Sequence, residues 1–204
     1  LQACFCPLRG DLRHPLEDGV VTISRAAGRL TYPCNVMLIA AMNPCPCGYY
    51  GHPTRKCTCT QAAVSHYLAK VSGPLLDRID LHVEVMPVEF DDLSDNTRAE
   101  PSEVIRKRVN AARKIQNERY AGTGITCNAM LTPAMLQKYC VMTEGAKTLL
   151  KNAFERMGLS ARAYDRILKV ARTIADLDKS ENIDTKHIAE ALQYRSLDRK
   201  YWGN

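Results

Sequence analysis

The sequence contains no apolar run of the roughly 18 to 20 residues that a membrane-spanning helix requires. Its first residues also lack the basic start and apolar stretch of a secretory signal. Nine cysteines are an odd count for a disulfide scaffold, and a chain of 204 residues is too long to need one. These absences argue against a membrane protein and a disulfide-rich secreted domain, and they predict a cytoplasmic location.

The composition is typical of a globular chain, with 46% hydrophobic residues and a formal net charge of +6. A chain of this length holds one medium domain or two small ones. The positive charge is compatible with a polyanionic partner such as DNA, although many mildly basic proteins bind no nucleic acid. We find no internal repeat and no low-complexity segment in the sequence.

The apolar pattern changes once along the chain, near residues 91–101. Before that point, the continuous apolar run at residues 36–41 is typical of a strand buried on both faces of a sheet. The alternating run at residues 81–85 predicts a second strand, and two β-prone runs within residues 19–33 predict a hairpin. The polar, acidic segment 91–96 predicts a linker.

After the linker the pattern is helical. Apolar residues recur at helical spacing in Ser102–Arg119, and Glu144–Met157 continues in helical residues as far as Gly158. Residues suited to cap the N-termini of further helices are Thr132, Ser160 and Asp184. The predicted fold class is therefore α/β followed by all-α, with the α/β part at residues 1–95 and the helical part at residues 96–204.

Four cysteines form two Cys-x-Cys pairs, Cys45/Cys47 and Cys57/Cys59. Four soft ligands at this spacing suit a tetrahedral zinc ion with no open position, which predicts a structural metal site in residues 43–60, called the cysteine loop. The alternative is a set of buried or reactive free cysteines. His52 could replace one thiol, although a solvated histidine is the favoured interpretation. The cysteines without partner spacing are interpreted as packing residues: Cys4, Cys6, Cys34, Cys127 and Cys140.

Six segments carry a more specific signal. They are residues 13–19 (RHPLEDG), 22–25 (TISR), 40–48 (AAMNPCPCG), 72–80 (SGPLLDRID), 160–166 (SARAYDR) and 194–199 (YRSLDR). Together they resemble the ComM/YifB family of magnesium-chelatase-like AAA+ ATPases, over nearly the whole chain from about Leu12 onward. The resemblance implies the C-terminal part of an AAA+ α/β core, with a pre-sensor β-hairpin and a zinc loop, followed by a helical lid.

No Gly-x-x-x-x-Gly-Lys-Ser/Thr phosphate loop occurs in the sequence. The resemblance therefore implies a longer ATPase in which ATP and Mg²⁺ also use an upstream segment, and we expect this chain alone not to hydrolyse ATP. For the longer protein it implies a hexameric ring of identical subunits that drives branch migration of DNA, as ComM-type helicases do. The alternatives are the ATPase subunit of a magnesium chelatase and a zinc-stabilised module that binds DNA or protein without turnover.

The resemblance also implies roles for three polar residues at a nucleotide site. Asn43 matches sensor 1, Arg78 matches the arginine finger that reaches the neighbouring subunit's nucleotide, and Arg162 matches sensor 2 on the lid. An arginine finger stabilises the charge on the transferring phosphoryl group. Without the resemblance, Asn43 is part of a turn signal, Arg78 belongs to a surface salt-bridge cluster, and Arg162 is a solvated arginine, like Arg166, Lys169 and Arg172 nearby.

Two arginines of the predicted hairpin, Arg25 and Arg29, are candidate DNA contacts. The resemblance implies this role because the hairpin of related helicases points into the ring channel, whereas the alternative is a pair of solubilising charges. The cysteine loop is a second candidate surface, and packing against an adjacent subunit is its alternative role. Its aromatic and basic residues are Tyr49, Tyr50, His52, Arg55 and Lys56.

Overall fold

The computed structural model describes residues 13–26, 28–88 and 99–195, without the side chains of residues 13 and 14. The chain divides into two compact units, with the boundary between Ile79 and Asp80. The predicted boundary between residues 95 and 96 and the predicted linker at 91–96 lie outside the described residues. The division into domains at that point stays a prediction.

The first unit contains three short helices and a hairpin. These elements are α1 (Arg13–Glu17), β1 (Val20–Arg25), β2 (Gly28–Pro33), α2 (Gln61–Leu68) and α3 (Gly73–Leu76). The strands pair antiparallel, from Val20 opposite Pro33 to Arg25 opposite Gly28. The hairpin predicted between residues 19 and 33 is confirmed. Its β-branched and aromatic residues favour extended backbone on both sides of the turn.

The prediction of strands at residues 36–41 and 81–85 is wrong. Neither run belongs to a strand in the structure, and their apolar side chains are exposed, with Met37 at 84%, Ile39 at 82% and Val85 at 87%. A strand is stable only when its backbone pairs with a neighbour, and a hairpin is the sole sheet within the described ranges. An apolar run reports a tendency toward extended backbone, but it does not supply the partner strand.

The second unit is helical. Its helices are α4 (Ser102–Arg119), a 3₁₀-helix (Asn128–Met130), α5 (Pro133–Tyr139), α6 (Glu144–Met157), α7 (Ala161–Leu177) and α8 (Thr185–Gln193). The predicted caps are confirmed at Ser160, whose hydroxyl accepts from the backbone N–H of Ala163, and at Asp184, whose carboxylate accepts from that of Thr185. No helix in the described part of the chain is long and apolar enough to cross a membrane.

The core of the second unit forms along the apolar face of α7. Ile167, Ala171 and Ala175 recur every fourth residue on this face and are fully buried. They pack in one cluster with Leu150 from α6 and Ile188 from α8. Burying each large aliphatic side chain contributes roughly 1.5–3 kcal/mol, so this face holds the last three helices together.

A buried carboxylate, Asp176, organises the polar part of the same unit. It accepts from Arg119 of α4 at 2.9 Å, from the Nε of Arg172 at 3.1 Å and from the amide of Asn128 at 2.8 Å. The Asp176 side chain is 0% exposed and the Arg172 side chain is 1% exposed. The contact with Asp176 raises the pKa of Arg119. The network therefore ties α4 and the 3₁₀-helix to α7 through charge-assisted hydrogen bonds.

Three basic residues of α7 differ from the interpretation of them as solvated. Arg172 is buried and also donates to the carbonyls of Glu181 and Ser180. Lys169 donates to the carbonyl of Ala129 at 3.0 Å, and burial lowers its pKa. Arg166 forms an ion pair with Asp80. Ala129 and Asp80, the partners of Lys169 and Arg166, are 40 and 86 positions away in the chain, so the local pattern does not reveal these contacts.

Asp176→Asn is expected to lower the free energy of unfolding of the helical unit by about 3–5 kcal/mol, because it leaves the buried Arg172 without a counter-charge. Urea denaturation of the chain, followed by far-ultraviolet circular dichroism, measures this change. The matched control is Glu155→Gln on the exposed surface of α6, with an expected change within about 0.5 kcal/mol. Equal stabilities for the two variants would show that the network is energetically neutral.

Candidate metal centre and nucleotide-site residues

Four thiols of the cysteine loop converge in the first unit. The Sγ atoms of Cys45, Cys47, Cys57 and Cys59 all lie within 4.8 Å of one another. The Cys45–Cys47, Cys45–Cys57 and Cys47–Cys57 sulfur separations are 3.3, 3.7 and 3.5 Å. These separations exceed a disulfide bond of about 2.05 Å, so the structure has no disulfide among these cysteines. The predicted clustering of the four cysteines is confirmed.

The sulfur separations fit a tetrahedral ion. Thiolates bound at about 2.3 Å in tetrahedral geometry would lie about 3.8 Å apart, close to the distances in the cluster. Each cysteine offers one ligand, and Cys45 is fully buried. The donor set is soft, which suits metals that prefer sulfur over oxygen. The four cysteines therefore form a site that could hold a metal ion with four protein ligands.

The backbone around Cys45 and Cys47 forms a tight turn. Gly48 has a φ of +83°, a left-handed conformation that favours glycine, and its N–H donates to the carbonyl of Cys45 at 3.0 Å. The turn directs the N–H of Tyr50 at the sulfur of Cys45, at 3.3 Å. This hydrogen bond holds the sulfur of Cys45 in place within the cluster.

The thiols titrate unequally. Backbone hydrogen bonds from Tyr49 and Thr58 lower the pKa of Cys47 to about 5. A backbone bond from Cys59 favours the Cys57 thiolate, but lost hydration and the contacts with Cys47 and Cys45 raise the pKa of Cys57 to about 12. A bound cation would favour the ionised form of Cys57, so its binding would release protons.

Helix α2 supports the second pair. Its N-terminus is capped by the Thr60 hydroxyl, which accepts from the N–H of Ala63 at 3.2 Å, directly after Cys59. Val64 and Leu68 of this helix are buried against Cys45. The metal site therefore has a small apolar core of its own.

His52 does not belong to the thiol cluster. Its Nδ1 accepts from the backbone N–H groups of Thr54 at 3.2 Å and Arg55 at 3.0 Å, so it organises the turn between the pairs. Of the other cysteines, Cys140 is buried and its pKa is raised to about 11 by that burial, as expected for a packing residue. Cys34 and Cys127 are half-buried, and Cys4 and Cys6 lie outside the described residues.

Asn43 and Arg78 both lie in the first unit. Asn43 is exposed and lies at the start of the cysteine loop, two residues before Cys45. Arg162 lies in the first turn of α7 in the second unit, where it is exposed.

Arg78 is held by Glu17 of α1. The Arg78 Nε lies 2.9 Å from Glu17 Oε1, and its Nη2 donates to Oε2 at 3.1 Å, while Nη1 donates to the carbonyl of Pro74 at 2.6 Å. The Arg78 side chain is 11% exposed. Arg78 thus forms an ion pair with Glu17 through one hydrogen bond and one close N–O approach, and a guanidinium that pairs with a carboxylate can also pair with a phosphate. Sequence reasoning missed Glu17, which is 61 positions away in the chain.

The hairpin places its two arginines on opposite faces. Arg25 pairs with Gly28 and Arg29 with Ser24, and successive side chains of a strand point to opposite sides. The face of Arg25 also carries three exposed apolar side chains, those of Ile23, Leu30 and Tyr32. The face of Arg29 is polar, with the hydroxyls of Thr22 and Thr31 at 3.1 Å. The hairpin tip is therefore positively charged on both sides.

Comparison with known proteins identifies the family. A model described as magnesium chelatase, subunit ChlI, matches residues 8–93, and one described as its C-terminal part matches residues 99–195. The chain is 41% identical over 189 residues to the uncharacterized protein YifB of Salmonella typhimurium and to the competence protein ComM of Haemophilus influenzae. It is 39% identical over 190 residues to YifB of Escherichia coli.

These matches define the class as magnesium-chelatase-like. The chain belongs to the ComM/YifB family of such proteins, as the sequence motifs indicated. The alignments cover 92% of this chain and 36% of the relatives. The chain therefore spans about a third of the length of the relatives it matches.

Proposed function

We propose that this chain is part of an AAA+ motor that uses ATP to drive branch migration of DNA, as a hexameric ring of identical subunits in the cytoplasm. The observation that carries the DNA assignment is the β1–β2 hairpin, whose tip exposes Arg25 on one face and Arg29 on the other. Backbone phosphates attract such charges without regard to sequence, which suits a motor that moves along DNA. The competence protein ComM among the relatives is compatible with this role.

Three residues carry the proposed nucleotide chemistry in a longer protein that contains this chain together with a phosphate loop. Asn43 orients the attacking water or bonds the γ-phosphate, as a sensor 1 residue. Arg78 acts as the arginine finger on the neighbouring subunit's ATP, and Arg162 reports the nucleotide state as sensor 2. ATP and Mg²⁺ supply the reacting phosphoryl group and its charge neutralisation. On this proposal the isolated chain is inactive.

The proposed finger is held at rest by Glu17. Because Arg78 already presents its planar fork to a carboxylate, the exchange of that carboxylate for phosphate oxygens needs little reorganisation of the guanidinium. A neighbouring nucleotide that approaches Arg78 would compete with Glu17 for the guanidinium. The ion pair is then the off state of the finger, and contact with the nucleotide is the on state.

The metal proposed for the cysteine loop is zinc. Four thiolates leave a tetrahedral ion no open position for water, so its role is structural. It would hold together the segment Cys45–Cys59, which begins two residues after Asn43. The ion would link the two cysteine pairs and would take no part in the reaction.

Two other functions are supported by specific observations. Both matching family models describe the magnesium chelatase subunit ChlI, which favours an ATPase subunit that assists metal insertion. The cluster of four cysteines and the exposed hairpin arginines favour a zinc-stabilised module that binds DNA or protein without turnover. Mutation of the hairpin arginines distinguishes the motor function from the chelatase function, because only the motor needs a DNA contact.

The test is ATP hydrolysis by the longer protein with and without a four-way DNA junction. We expect the junction to accelerate hydrolysis by the wild type. In the double variant Arg25→Ala/Arg29→Ala, basal hydrolysis should persist and the acceleration should be lost, because each lost phosphate contact weakens DNA binding several-fold at physiological salt. The control is Arg106→Ala/Arg113→Ala on the exposed side of α4, which removes the same charge. If the hairpin variant and the α4 variant lost the acceleration equally, the effect would come from total positive charge and not from a DNA contact at the hairpin.

A further inference from the structure

The first unit contains a long segment without negative side chains. From Gly19 to Leu76 the sequence has no aspartate and no glutamate, whereas it has five basic residues. They are Arg25, Arg29, Arg55, Lys56 and Lys70. A zinc ion with four thiolates would add about two negative charges to this segment, which leaves it net positive. Uncompensated positive charge of this kind attracts polyanions.

Within this segment, the tip of the cysteine loop has an ordered aromatic and cationic surface. The Arg55 Nη1 donates to the Tyr49 hydroxyl at 2.9 Å, and the guanidinium lies 5.4 Å from the centre of the Tyr49 ring. His52 contacts the same ring edge-on, with the ring centres 5.7 Å apart. Lys56 follows and is exposed. We call Tyr49, His52, Arg55 and Lys56 the loop-tip surface.

The loop-tip surface is held in place from both ends. His52 fixes the backbone of Arg55 through a 3.0 Å hydrogen bond, and the N–H of Tyr50, next to Tyr49, bonds the sulfur of Cys45. Arg55 and Tyr49 thus have little conformational entropy left to lose when a ligand binds. Arg55 and Lys56 are exposed, and no carboxylate in the described part of the chain forms an ion pair with either of them. An ordered, exposed arginine without a carboxylate partner is suited to an external anion.

We propose that the loop-tip surface binds single-stranded DNA. Bases stack on the flat Tyr49 ring and on the Arg55 guanidinium, and Lys56 contacts the phosphate backbone. Stacking requires bases whose faces are accessible, which a closed duplex does not offer. The proposal rests on the proposed DNA function and adds to it a strand-binding surface separate from the hairpin arginines.

The test is fluorescence anisotropy of a labelled oligothymidylate of about 20 nucleotides with the zinc-loaded chain at low salt. Tyr49→Ala should weaken binding by about 5- to 150-fold, as the loss of one base–aromatic stack does. Tyr49→Phe keeps the ring and should bind nearly as the wild type. Arg55→Ala should weaken binding more than the control Arg106→Ala, which removes an exposed arginine from α4. Zinc content and circular dichroism verify that each variant is folded.

Four results would overturn the proposal. The first is binding by folded Tyr49→Ala and Arg55→Ala within about 2-fold of the control. The second is equal affinity for a blunt duplex of the same charge, and the third is tighter binding of an oligouridylate, which would make the ligand RNA. If only Arg25→Ala/Arg29→Ala abolished binding, the loop-tip assignment would fail while the proposed DNA motor stood. If Tyr49→Ala loses zinc, the proposal is tested by the affinities of Tyr49→Phe and Arg55→Ala for the oligothymidylate.

Discussion

Arg78→Ala is expected to lower the kcat of ATP hydrolysis by the longer protein by about 10³-fold or more, because arginine fingers stabilise charge that develops on the transferring phosphoryl group. ATP binding should change little, since on the proposed function Arg78 reaches the nucleotide of the neighbouring subunit. Steady-state hydrolysis and binding of a fluorescent ATP analogue measure the two effects separately. Arg106→Ala, an exposed arginine of α4, is the matched control.

Three further variants sharpen this prediction. Arg78→Lys keeps the charge but not the planar fork, so most of the activity should still be lost. Glu17→Gln weakens the resting contact of Arg78 and should retain hydrolysis, because Glu17 has no part in the proposed reaction. Mixing Arg78→Ala subunits with subunits whose phosphate-loop lysine is replaced should restore activity, since each variant supplies what the other lacks. Normal turnover by Arg78→Ala would remove Arg78 from the catalytic assignment.

Loss of zinc is expected to unfold the cysteine loop, because structural zinc sites contribute on the order of 10 kcal/mol to local folding. The wild-type chain should contain one zinc ion per chain, measured by atomic absorption. Cys45→Ser and Cys57→Ser should each lose the ion and become susceptible to proteolysis within residues 43–60. Cys34→Ser, a half-buried cysteine of the same unit outside the cluster, should keep it.

Chelation of the wild type should reproduce the effect of Cys45→Ser. Zinc binding to the apo chain should release protons, because the thiol of Cys57 has a pKa near 12 and must ionise. Zinc affinity should accordingly fall as the pH falls, since protons compete with the metal for the thiolates. A chain that contains iron would revise the metal, and a metal-free chain with an intact loop would exclude the site.

Local signals predicted the helices and the hairpin. The helix caps at Ser160 and Asp184 and the apolar spacing of α7 are encoded within a few residues, and the structure contains each of them. The runs at residues 36–41 and 81–85 differ because a strand requires a partner elsewhere in the chain. Apolar sequence alone cannot supply that partner.

The candidate site was predictable where its residues are close in sequence. Two Cys-x-Cys pairs separated by a short loop indicated the thiol cluster directly. The contact between Arg78 and Glu17 depends on tertiary packing, so no spacing rule reveals it. Arg172 and Asp176 are four positions apart on α7, a spacing that suits an ion pair, but the burial of that pair depends on tertiary packing. Arg172 looked solvated because arginine usually is, and its burial is possible because Asp176 and two carbonyls satisfy its guanidinium.

The rate of ATP hydrolysis by the wild-type longer protein, measured with and without a four-way DNA junction, tests the central claim most directly. A DNA-driven motor predicts faster hydrolysis when the junction is present, together with ATP-dependent movement of the branch point. Hydrolysis at the same rate with and without the junction would contradict the motor and favour the chelatase-like function.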